Sequence, residues 1–154
     1  MATMADDSDV DGIRRRAAAR GCELGLPYAG ALLPSEAHTL MQAGARLVDV
    51  RTKPEVLYVG RVPGSVLIEW QTYPGSAANP AFLDQLAQAV EPGETLMFLC
   101  RSGQRSRDAA QAMTAAGYGR CYNVKSGFEG GPDDHRHRGT VAGWKADGLP
   151  WLQD

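Results

Sequence analysis

Cysteine is scarce. Only Cys22, Cys100 and Cys121 occur in 154 residues, and no two of them form a C-x-x-C pair. An odd number at unrelated spacings makes neither a disulfide framework nor a zinc site. In a reducing compartment they are free thiols. Long apolar runs are missing as well, none approaching the roughly 18 residues that cross a bilayer. So is any excess of charge: 16 Lys and Arg face 18 Asp and Glu, for a formal net charge of −2. Nothing in that balance argues for nucleic acid or an anionic membrane as partner. The chain shows no internal repeat, and no cofactor is expected. What remains is an ordinary globular composition, 44% apolar and 22% charged, of a length that suits one domain.

The first segment, MATMADDSDVDGIRRRAAARG, places Asp6, Asp7, Asp9 and Asp11 ahead of Arg14, Arg15 and Arg16. A secretory signal needs an apolar stretch after a basic start, and a transit peptide avoids acids. Residues 1–25 are therefore expected to be an N-terminal appendage, helical or frayed, before a domain over residues 26–154. The expected compartment is the cytoplasm.

Helix-like and strand-like segments alternate after residue 30. PSEAHTLMQAG carries Ala37, Leu40 and Met41 on one helical face and stops at Gly44. ARLVDVR reads as a short buried strand, and GSVLIEW as another, announced by Pro63-Gly64. NPAFLDQLAQAVEPG reads as a helix with Phe82, Leu83, Leu86 and Val90 on its stripe and Asn79 as its cap. ETLMFLC is the most apolar strand. RSRDAAQAMTAAG is a helix with Ala109, Ala112, Met113 and Ala116 inward, and RCYNV closes the series as a strand. Apolar runs without alternation imply strands covered on both faces, as in a parallel sheet between helices. The expected fold is α/β with three layers and about five strands.

Ligands of such sheets sit beyond the carboxyl ends of the strands, where Cys100 stands. A thiol is a weak nucleophile until it ionises. At a strand-to-helix turn the first N–H groups of the helix lack intrahelical partners, and with the helix dipole they favour an anion. Gly103 lets the loop curl so that several N–H groups surround one atom. Arg101 and Arg105 add positive charge. Each feature favours the thiolate and an anionic substrate, and a buried inert cysteine would need none of them.

The segments VDVRTKPEVLYVGRVPGSVLIEW, FLCRSGQRS and NVKSGFEGG…GWKADGLPW resemble, in order, the landmarks of the single-domain rhodanese-type sulfurtransferases. The resemblance runs from about residue 30 to residue 152. It implies a five-stranded parallel sheet flanked by helices. It also implies a reaction in two halves, in which a thiolate takes a sulfane sulfur from a donor such as thiosulfate and passes it to a thiophilic acceptor. Carried over, Cys100 is the nucleophile. Arg101, Ser102, Gly103, Gln104 and Arg105 hold the extra sulfur through their backbone N–H groups, and Arg105 and Arg101 grip the donor. The implied partners are a small anionic donor and a thiol, cyanide or acceptor protein, with neither nucleic acid nor membrane. Many members have histidine where this chain has Arg61, within Gly60-Arg61-Val62-Pro63-Gly64.

Other residues carry less. Arg51 and Glu55 suit an ion pair at helical spacing. Asp49 as a general base would place a second negative charge near the thiolate and disfavour it. His135 and His137 in DDHRHRG form too sparse a set for a metal and read as a solvated loop. Trp70, Trp144 and Trp151 read as packing residues, Cys121 as core and Cys22 as a bystander. The rival functions are a cysteine phosphatase or an arsenate reductase on the same scaffold, a non-catalytic module, and a sulfur-relay subunit serving one partner. Phosphatases place arginine after five intervening residues, whereas Arg105 follows Cys100 after four.

Overall fold

A computed structural model describes the backbone of residues 2–154 and the side chains of residues 10–154. In chain order the elements are α1 (Ala2–Leu24), β1 (Gly30–Leu32), α2 (Pro34–Gln42), β2 (Arg46–Asp49), α3 (Lys53–Val59) and β3 (Val66–Leu67). They continue with β4 (Gln71–Thr72), β5 (Ala77–Ala78), α4 (Phe82–Ala89), β6 (Leu96–Leu99), α5 (Gln104–Ala115) and β7 (Cys121–Val124). Five strands form one sheet in the order β1-β7-β6-β2-β3, every pair parallel. β4 and β5 make a separate antiparallel ribbon.

The apolar runs are unbroken because both faces of the sheet are covered. Val48, Leu96, Phe98 and Cys121 pack on one face with Phe82 and Leu86 of α4 and Ala109 and Met113 of α5. Leu47, Met97, Leu99, Tyr122 and Val124 pack on the other with Ile13 and Ala17 of α1 and Ala37 and Leu40 of α2. Side chains alternate along each strand, and both sets find helices. Each such fully buried large side chain contributes about 1.5–3 kcal/mol of transfer free energy. The expected three-layer α/β fold with five parallel strands is the one found.

Several local expectations need correction. Leu83 is 43% exposed, because the eight-residue α4 buries only the narrow stripe of Phe82 and Leu86. Ala116 is exposed, since α5 ends at Ala115 and Ala116 caps it. Of GSVLIEW only Val66–Leu67 forms a strand, β3, while the N–H groups of Ile68 and Trp70 donate to the carbonyls of Asp49 and Val50 at 2.9 and 3.1 Å. Apart from these corrections, the segment expected as a helical or frayed appendage carries α1. Its Arg20 donates to both carboxylate oxygens of Glu36, at 2.6 and 3.0 Å, and Arg14 donates to Thr95 Oγ1 at 3.2 Å.

Strand order fixes where a site can form. After β2 the chain moves outward to β3, and after β6 it moves the opposite way to β7. The connections leaving these two adjacent strands therefore diverge, opening a crevice at their carboxyl ends. The start of α3 forms one wall of it and the loop after β6 the other.

Candidate active site

Cys100 follows β6 directly and is 1% exposed. Its Sγ accepts the Gly103 N–H at 3.1 Å. Gly103 takes φ 115° and ψ −8°, a conformation that costs glycine nothing and folds the loop back over the sulfur. The loop is braced from below. Phe128 N–H donates to the Cys100 carbonyl at 2.8 Å, and the N–H groups of Glu129 and Gly130 donate to the Arg101 carbonyl at 2.9 and 3.1 Å. That approach requires Gly127, where a Cβ would run into the carbonyl oxygen of Cys100.

Above the sulfur lies a cavity of about 550 Å³, bounded by the 100–105 loop, the first turn of α3 and the β4–β5 ribbon. Arg101, Ser102, Gln104, Arg105 and Cys100 all line it, together with Glu55. Gly103 faces a smaller cleft on the other side of the loop.

The Arg105 guanidinium points across the cavity and donates to Oε1 and Oε2 of Glu55 at 2.7 and 3.0 Å. Burial pushes the Glu55 carboxyl up, but the hydrogen bonds from Arg105 and Thr52 and the charge of Arg105 outweigh it and lower it to about 2. The same contact raises Arg105 against the opposing effect of burial. Glu55 also closes the N-terminus of α3: its Oε1 accepts the Thr52 N–H at 3.1 Å, while Thr52 Oγ1 accepts the Glu55 N–H at 3.5 Å. The expected Arg51–Glu55 pair is not formed. Arg51 precedes the Thr52 cap, so it is not on the helix. It lies fully buried beneath the site, donating to both oxygens of Asp49 at 3.0 and 2.7 Å and to the Gly60 carbonyl at 2.8 Å. Its guanidinium carbon sits 4.3 Å from the Phe128 ring centroid.

Two further polar groups approach the sulfur, and the sequence reading did not single them out for the site. Ser106 is fully buried in the first turn of α5, with Oγ 3.3 Å from Cys100 Sγ and 2.6 Å from Asn123 Oδ1. Asn123, on β7, donates from Nδ2 to the Gly103 carbonyl at 3.3 Å. A serine six places after the thiol was the available signal for one. Asn123 had none, because strand pairing alone brings β7 beside β6.

The remaining candidates lie elsewhere. Cys22 is exposed and Cys121 buried; burial pushes the Cys121 thiol up, and its Sγ–H donates to the Tyr118 carbonyl at 3.4 Å. Asp133 gathers the backbone N–H groups of His135 and His137 at 2.8 and 2.9 Å. Arg61 pairs with Asp154 at 3.0 Å and forms an antiparallel bridge with Leu152, tying down the C-terminal tail. Trp144 is fully buried. Among the described residues no helix is long and apolar enough to cross a membrane.

Comparison with known proteins agrees with this architecture. The family profile described as Rhodanese-like domain matches residues 33–131. An uncharacterized protein of Rickettsia conorii is 38% identical over 115 residues, covering 70% of this chain and 82% of that one. Thiosulfate sulfurtransferase 18 of Arabidopsis thaliana is 33% identical over 98 residues, or 61% of this chain and 71% of its own. The crystal structure of Rv0390 from M. tuberculosis superposes with a TM-score of 0.76 at 40% identity, covering 82% of this chain and 99% of that one. With the profile spanning residues 33–131 and the parallel sheet matched at that level, the chain belongs to the rhodanese-like domain family.

Proposed function

We propose that the protein is a sulfurtransferase that carries sulfane sulfur on Cys100. The observation that supports this most is the placement of Sγ: at the floor of the cavity, 3.1 Å from the Gly103 N–H. In the first half-reaction the Cys100 thiolate attacks the outer sulfur of thiosulfate or a similar donor. The donor's S–S bond breaks, its electron pair leaves with sulfite, and Cys100 holds a persulfide. In the second, a thiol or cyanide attacks the outer sulfur and the pair returns to Sγ. Arg101, exposed at the rim of the cavity, is the cation that meets the donor first, because Glu55 engages Arg105. The loop 100–105 holds the terminal sulfur through its N–H groups, and the reaction takes place in a reducing cytoplasm. The relative named thiosulfate sulfurtransferase lends the same reading. Transfer from thiosulfate to cyanide should be measurable in the wild type and absent in Cys100→Ser. Transfer at the original rate in that variant overturns the assignment.

A further inference from the structure

Gly103, Cys100, Ser106 and Asn123 close a ring of hydrogen bonds. Gly103 N–H reaches Sγ at 3.1 Å, Ser106 Oγ lies 3.3 Å from Sγ and 2.6 Å from Asn123 Oδ1, and Asn123 Nδ2 returns to the Gly103 carbonyl at 3.3 Å. The last contact fixes the amide, because a flipped side chain would set two carbonyl oxygens against each other. Asn123 Oδ1 can only accept, so at 2.6 Å the single proton of the Ser106 hydroxyl lies on it. That leaves an oxygen lone pair facing Sγ, which suits a thiol or a neutral persulfide sulfur and opposes a thiolate.

We propose that Ser106 is a catalytic residue acting as a two-position donor, and that Asn123 is the positioning residue that holds it. While Sγ carries hydrogen or sulfur, the hydroxyl points to Asn123. When Sγ becomes a thiolate, the hydroxyl turns about its C–O bond and donates to Sγ. In the second half-reaction of the sulfurtransferase reading, on which this part rests, the acceptor thiolate attacks the outer sulfur. The bond from that sulfur to Sγ breaks, and the electron pair collects on Sγ beside the hydroxyl. The proton never leaves oxygen, and no further reactant is needed.

The test is the pH profile of Cys100 alkylation by iodoacetamide in Ser106→Ala, followed by discharge of a preformed persulfide to a small thiol. Arg101, Arg105, Asp108, Glu55 and Tyr73 face the same cavity and Tyr28 lies against Asn123; all are retained in the variant. Loss of one hydrogen bond to a charged sulfur should move the alkylation midpoint up by about one pH unit and slow discharge about tenfold. An unchanged midpoint and an unchanged discharge rate overturn the proposal. A measurement on the wild type guards against a variant that fails to fold: the Asn123 side-chain amide resonance should shift across the same pH range in which Cys100 becomes reactive. A resonance that stays still overturns the proposal as well. Alkylation needs no sulfur donor, so this test can succeed even where no persulfide forms, and the two readings fail separately.

Discussion

A cation beside a thiolate is expected to serve the thiolate, yet Arg105 gives two hydrogen bonds to Glu55. The ion pair is half-buried, with side-chain exposures of 20% and 22%, so solvent screens it only in part. The Glu55 carboxyl is lowered from 4.5 to about 2. A folded-state value below the unfolded one means stability that is complete above the unfolded value and lost as pH falls through the folded value. For Glu55 that window runs from 4.5 down to about 2, and a shift of this size corresponds to about 3 kcal/mol. Glu55→Gln should therefore be less stable than the wild type at neutral pH, and the gap should close as pH falls toward 2. Denaturant unfolding of both proteins across that range measures it. Parallel pH curves would show that Glu55 does not depend on Arg105 for its charge.

At the scale of elements, legibility followed burial and contiguity. β2, β6 and β7 could be read because helices cover both of their faces, which forces unbroken apolar runs. α3 could not, since none of its residues is buried and no apolar stripe marks it. Its one signal is the Thr52-x-x-Glu55 capping box, which the helical spacing of Arg51 and Glu55 masks by suggesting an ion pair between them. β1, β4 and β5 are too short to show a period. The loop 100–105 was legible because its residues are consecutive, whereas Glu55 and Asn123 reach it through the topology of the sheet. Gly103 tests the loop as an element. A Cβ there would meet nothing closer than Ser126 N at 3.7 Å, so Gly103→Ala is strained in its backbone alone, by about 1–2 kcal/mol. The variant should fold with that loss of stability and alkylate more slowly at Cys100, as the N–H is drawn away from Sγ. Unchanged stability in denaturant, with an unchanged alkylation rate, would show that the loop does not need its left-handed turn.

For the whole molecule, the N-terminal helix shows how composition can hide a packing role. The Ala- and Arg-rich run of α1 has no broad apolar face, yet Ile13 is 4% exposed and Ala17 fully buried. Alanine serves because a close approach to the sheet needs a small side chain, and the arginines reach around it to Glu36 and Thr95. Ile13→Ala should cost about 2–4 kcal/mol, read from the denaturant midpoint. A loss within experimental error would make α1 dispensable to the domain. The proposal that Cys100 carries sulfane sulfur is tested most directly by mass spectrometry of the protein after incubation with thiosulfate alone. The expected result is one added sulfur on the peptide containing Cys100, removed by cyanide and absent in Cys100→Ser. An unmodified Cys100, or a sulfur carried instead on Cys22 or Cys121, would contradict the account.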